Sequence, residues 1–154
     1  KLSVLSSEML AEVIEAISAG RLRTTPQKGL PSYTRKLTKA DGLIDWRKPA
    51  AEISNMIRGT KEWPGAYTYM EERQLKIFRA FPLEKEGGRE DAKPGEIVNT
   101  GNRDSINVAC GEGILKITEV QMEGKKRMAA SKFLRGSKIE PGTLLAGKRD
   151  SANG

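Results

Sequence analysis

The chain has 154 residues, a net charge of +7 from 27 lysines and arginines against 20 acids, 37% hydrophobic residues and no histidine. That length suits one domain, or one domain with an appendage, and the missing histidine removes catalytic triads, imidazole acid–base chemistry and most catalytic zinc sites together. The single cysteine, Cys110, excludes an internal disulfide and an all-thiolate zinc site and fits a reducing compartment, and no apolar run reaches the roughly 20 residues of a membrane-spanning helix.

Leu10, Val13, Ile14 and Ile17 follow the i, i+3, i+4, i+7 rule of a helix with one buried face. Ser6 and Ser7 can cap its start, Glu8, Glu12 and Glu15 place negative charge toward that end, and Gly20 stands where a helix stops. The pattern predicts a helix over 8–19. Residues 21–37 follow with Pro26, Gly29 and Pro31, the composition of an extended linker. The helix therefore reads as the last element of a preceding unit, residues 1–20. Without that unit its apolar stripe either packs back on the chain or stays exposed, as a surface through which copies can associate.

Thr38 can cap a short turn through Asp41. Pro49 is a good first helical residue, and Ile53, Met56 and Ile57 mark the buried face of a helix over 49–58, with Arg58 favoured in the last turn by the helix dipole. From Ala66 the period changes from 3.6 to 2. Strands are expected at 66–70, 74–81, 95–100, 105–110 and 114–122, divided by short turns and by one polar loop, Leu83 to Pro94. From Glu84 to Glu96 there are five acids against three bases, so this loop should point away from any polyanion. Cys110 is in phase with Ile106 and Val108 and reads as a small core residue. Ala129, Ala130, Phe133 and Leu134 fit a short helix ended by Gly136, and residues 147–154 read as a flexible tail.

Five short strands with one or two small helices over 38–146 suit an α+β fold, an OB-like barrel whose closure removes exposed sheet edges. Charge concentrates in one part of it. From Lys116 to Lys138 there are seven basic and two acidic side chains, centred on Gly124-Lys125-Lys126-Arg127 at the end of the last strand. Such a cluster on a rigid platform is what holding a polyanion requires.

One ordered series of signatures is more specific. It runs Ile44-Asp45-Trp46, Ile57-Arg58, Trp63-Pro64-Gly65-Ala66-Tyr67, Pro94-Gly95-Glu96-Ile97 and Cys110-Gly111-Glu112-Gly113. It continues with Gln121, Gly124-Lys125-Lys126 and Met128, and ends with Phe133-Leu134-Arg135-Gly136. In register, these pieces resemble the carboxy-terminal domain of methionyl-tRNA formyltransferases. The stretch Gly20 to Lys36 is similar to the interdomain linker of that family, and residues 1–20 to the last helix of its catalytic domain. The resemblance implies an enzyme that transfers a formyl group from 10-formyltetrahydrofolate to the amino group of methionyl initiator tRNA. It also implies an amino-terminal Rossmann-like catalytic domain outside this chain, whose Asn, His and Asp set has no counterpart here. On that basis the chain holds no cofactor and no catalytic residue of its own, binds and orients tRNA, and works in the cytosol of a bacterium or in an organelle matrix.

Phosphates and A-form shape, more than base edges, are what a tRNA offers a smooth barrel. Lys125, Lys126, Arg127, Lys132 and Arg135 are the first candidates for contact, and Arg47, Lys48, Arg58 and Lys36 the second. The expectation is one continuous positive surface shared by the Lys125 turn and the Arg47 region. Two alternatives stand beside it. A related formyltransferase acting on another amine, or on formyltetrahydrofolate itself, needs no long polyanion grip. A general single-strand-binding OB module places aromatics on its binding face, whereas aromatics here are 5% of residues.

Overall fold

A computed structural model describes residues 2–83, 91–100, 103–137 and 139–146, in two compact units that divide between Arg35 and Lys36. The expected tail at 147–154, most of the acidic loop and part of the turn at 101–104 lie outside the described residues.

The first unit carries helix α1, Leu2–Ser18, none of whose residues is buried. It starts six residues before the expected position because Ser7 does not cap it. The Ser7 hydroxyl donates to the Val4 carbonyl at 2.7 Å, one turn back within the helix. The C-terminus is as the glycine suggests: Gly20 takes a positive φ while the N–H groups of Gly20 and Arg21 close onto the carbonyls of Ile17 and Ala16.

In the second unit a 3-10 turn, Lys39–Gly42, is held by the Asp41 carboxylate, which accepts from the backbone N–H and the hydroxyl of Thr38. Helix α2 is Ala50–Gly59. Pro49 stands just before the helix, and its carbonyl accepts the N–H of Ile53. The strands are β1 (Ala66–Met70), β2 (Arg73–Leu83), β3 (Ile97–Asn99), β4 (Ile106–Ala109), β5 (Ile114–Met122), β6 (Met128–Ala129) and β7 (Leu145–Ala146), with α3 (Ala130–Gly136) between the last two. The spans of β1 and β5 are those the alternation predicts. β2 runs on to Leu83 because pairing with β5 persists to Leu83 opposite Ile114. β6 and β7 were not expected as strands.

The sheet is antiparallel in the order β3-β4-β5-β2-β1-β7, with β6 also on β5. Its two ends meet: Glu96 bridges Leu144, the Ile97 N–H donates to the Thr143 carbonyl, and the Gly142 N–H donates back to the Ile97 carbonyl. The result is the small OB-like α+β fold expected from the strand count. Inward-facing Leu75, Ile77, Leu115, Ile117 and Val120 are at most 2% exposed, α2 adds Ile53 and Ile57, and α3 adds Phe133 and Leu134. Burying each aliphatic side chain of this kind contributes about 1.5–3 kcal/mol. Cys110 belongs to this core, and burial pushes its thiol up to about 12.

Candidate nucleic-acid interface

Strand β5 ends at Met122 and the chain reverses immediately. Gly124 takes φ 76°, a conformation that favours glycine. The Lys125 N–H donates to the Met122 carbonyl at 2.9 Å, and Gln121 Nε2 donates to the Lys125 carbonyl at 2.8 Å. The turn is therefore tied at two points while Lys125 and Lys126 remain exposed. Beyond it, β6 returns along β5 and hands the chain to α3. That helix buries Ala130, Phe133 and Leu134, an i, i+3, i+4 face, which leaves Lys132 and Arg135 outside.

Two adjoining clefts surround α3. One, of about 550 Å³, is lined by Arg73 and Glu71 from the β1–β2 turn, by Lys125, and by Lys132 over a floor that includes Met122 and Phe133. The other, of about 460 Å³, is lined by Arg103, Arg135 and Glu140. They share Gly136, Ser137 and Ile139. Arg73, Lys125, Lys132, Arg135 and Arg103 thus come together from four separate stretches of chain, with Glu71 and Glu140 the acids among them. Arg73 and Arg103 were not among the sequence candidates. Each sits at a turn far from the Lys125 cluster in sequence, and a basic residue at a hairpin tip was the only available signal.

Arg127 has a different role from its neighbours. Its Nε and Nη2 donate to the two carboxylate oxygens of Glu119 at 2.8 and 2.6 Å, and its guanidinium lies over the Phe78 ring at 4.3 Å. The hydrogen bond from Arg127 is the main reason the Glu119 carboxyl lies below its ordinary range, with the Arg79 and Lys61 charges adding to it. A guanidinium engaged in this way has little charge left for a phosphate.

The second set of candidates does not join the first. Arg47 is held by both oxygens of Asp45, at 2.8 and 2.9 Å, and this hydrogen-bonded pairing is the largest cause of the lowered Asp45 pKa. Lys48 pairs with Glu52. Arg58 donates from Nη2 to Asn55 Oδ1 at 2.9 Å within the last turn of α2, and Lys36 is exposed at the start of the second unit. Arg47 and Lys48 are packed against Gly111, whose N–H donates to the Trp46 and Lys48 carbonyls. A β-carbon on Gly111 would stand 1.7 Å from the Arg47 carbonyl oxygen, so only glycine allows this crossing. Gly111 precedes β5 and Lys125 follows it, so the two regions stand at opposite ends of a nine-residue strand whose extended length is at most about 30 Å. The single surface expected from the sequence is therefore not formed by these two groups alone. Between them the outer side of β2 and β5 carries Lys76, Arg79 and Lys116, with Glu119.

No group of three or more metal-ligating side chains occurs among the described residues. The fold and the site define a small OB-like module with cations gathered at one end of its longest strand pair, β2 with β5. Known proteins sharpen that description. Residues 36–138 match the family described as formyl transferase, C-terminal domain, and the chain belongs to it. It is 44% identical over 157 residues to the methionyl-tRNA formyltransferase of Citrifermentans bemidjiense, covering 100% of this chain and 46% of that protein. It is 42% identical over 151 residues to the protein of the same name from Geotalea uraniireducens, covering 97% and 46%. The chain thus spans about half the length of the curated relatives it matches. Among solved structures, HypX from Aquifex aeolicus in complex with tetrahydrofolic acid superposes with a TM-score of 0.54 at 20% identity, over 89% of this chain and 26% of that one. At that identity the likeness concerns the fold.

Proposed function

We propose that this chain is the tRNA-holding part of a methionyl-tRNA formyltransferase. It orients methionyl initiator tRNA for a separate catalytic domain that takes the formyl group from 10-formyltetrahydrofolate. One observation carries the reading: Arg73, Lys125 and Lys132 line one cleft and Arg103 and Arg135 line the next, in a chain whose relatives bear that enzyme's name. Clefts rimmed by cations on a rigid sheet suit a folded polyanion, because each neutralised phosphate releases counterions without requiring a base to be read. Alignment of the substrate is the contribution expected of such a domain. The Cys110 thiol, buried and pushed up to about 12, is a packing group and takes no part in the chemistry.

The test is a titration of labelled initiator tRNA with the chain between roughly 50 and 200 mM salt. Five phosphate contacts predict a log–log slope of about −4. A slope near zero, or no binding at the lower salt, removes the basis for the proposal.

A further inference from the structure

We propose that the outer face of β1, β2 and β5 is a stacking platform for an unpaired base of the bound RNA, centred on Phe78 and Arg127. The proposal rests on the RNA-binding reading above and names a second kind of contact within it.

Tyr67 stands opposite Lys76, and Lys76 opposite Gln121, so the three form a row across three strands on one face. Inward-facing Ala66, Thr68, Leu75, Ile77 and Val120 are buried, which fixes that row as the outer one. Tyr69 lies on the same side and meets Tyr67 edge to face, with ring centres 5.9 Å apart. Phe78 follows Lys76 by two residues on that side, at the register shift between Ile77 and Arg79. The sequence is poor in aromatics, yet four of its six Tyr and Phe residues lie on the outer side of the sheet, Phe81 opposite Lys116 being the fourth.

Arg127 completes the platform. Phe78 covers one side of its guanidinium, Glu119 takes two of its donors, and the side chain is still 43% exposed. The pairing with Glu119 weakens its attraction for phosphate while locking a flat cationic plane in place. Planar guanidinium and aromatic groups are the surfaces on which unstacked bases rest, and such stacking needs no particular sequence. Lys76 is exposed beside it to meet the nucleotide's phosphate. Gln121 donates one amide hydrogen to Lys125 and keeps its carbonyl oxygen and second N–H for a base edge.

The experiment compares a single-stranded oligoadenylate hexamer with an abasic hexamer of equal phosphate number, each binding to the whole chain, with tRNA as a third arm. The expected result is that the base-bearing hexamer binds about five- to tenfold tighter than the abasic one. Arg127→Lys, which keeps the charge and loses the plane, and Phe78→Leu, which keeps apolar bulk, each bring it down to the abasic level. Lys125→Ala with Lys126→Ala instead weakens both hexamers alike. Equal binding of the two hexamers to the unaltered chain, with tRNA still bound, overturns the platform alone. So does a preference that survives Arg127→Lys, an exposed change that leaves the core intact. Loss of tRNA binding overturns the earlier reading and this one with it.

Discussion

The two ends of β5 start from similar material and come to opposite uses. Each has a glycine and an adjacent pair of cations: Lys125 and Lys126 after Gly124 at one end, Arg47 and Lys48 packed against Gly111 at the other. At the Gly111 end an acid stands two residues before Arg47 and another four after Lys48, and both pairs close. At the Lys125 end the nearest acid, Glu123, is turned away, with its carboxylate accepting the Gln74 N–H at 3.1 Å. The same formal charge is therefore consumed locally in one place and left exposed in the other, with Lys125 on the wall of a cleft. A count of lysines and arginines cannot tell these apart; the positions of the acids can.

The largest test concerns the Gly111 end, which the contrast makes a sealed structural joint. Cys110 lies there, and burial pushes its thiol from the ordinary 9.0 up to about 12. Alkylation at pH 8 should be about a thousandfold slower in the folded chain than in urea, since the thiolate is the reacting form. Comparable rates would mean that the joint is open. Next in size, Gly111→Ala forces a β-carbon onto the Arg47 carbonyl and should cost about 3 kcal/mol in urea unfolding. The fraction that remains folded should bind tRNA as before; a specific loss of binding would give this end a role in recognition.

Binding itself should depend on the other end. Replacing Lys125, Lys126 and Lys132 by Ala is expected to lower tRNA affinity by about ten- to fiftyfold near 100 mM salt and to flatten the salt slope by roughly two to three. Replacing Arg47 and Lys48 together should change affinity by no more than about twofold, as fits exposed charges already engaged with partners. If the two variants behave alike, the contrast between the ends fails.

How far the sequence reveals this contrast depends on the range of the interactions. Strands β1 and β5 follow from alternation because each buries one face over several residues, and α2 follows from Ile53, Met56 and Ile57. The start of α1 does not, since a serine that caps a helix and one that bonds back inside it look the same in one dimension. Two-residue strands such as β6 and β7 carry no period at all. The Lys125 cluster is legible as a run, but Arg73 and Arg103 join it only once the sheet has curled and paired. Arg127 reaches Glu119 across the β5–β6 reversal, eight residues away, so its change from phosphate ligand to stacked and paired side chain is a product of the hairpin. Arg47 is the opposite case: Asp45 is two residues off, and the pair could have been read directly.

That nearness makes Asp45→Asn the finest probe of the comparison, with the smallest expected effect. In the folded chain the Arg47 guanidinium holds the Asp45 carboxyl below its ordinary value of 3.8. The pair's contribution is therefore present above that value and fades only as pH falls through the lowered one; at neutral pH it is fully formed. Asp45→Asn removes the charge and frees Arg47 without touching the core, since both side chains are at the surface. If Arg47 is silent because it stands at the wrong end of β5, tRNA affinity should stay within about twofold, the range expected for a surface pair. If pairing alone silences it, the freed guanidinium should add a phosphate contact and make the salt slope steeper by nearly one. Measured beside the triple lysine variant, the slope separates position from neutralisation, which the static arrangement of charges presents together.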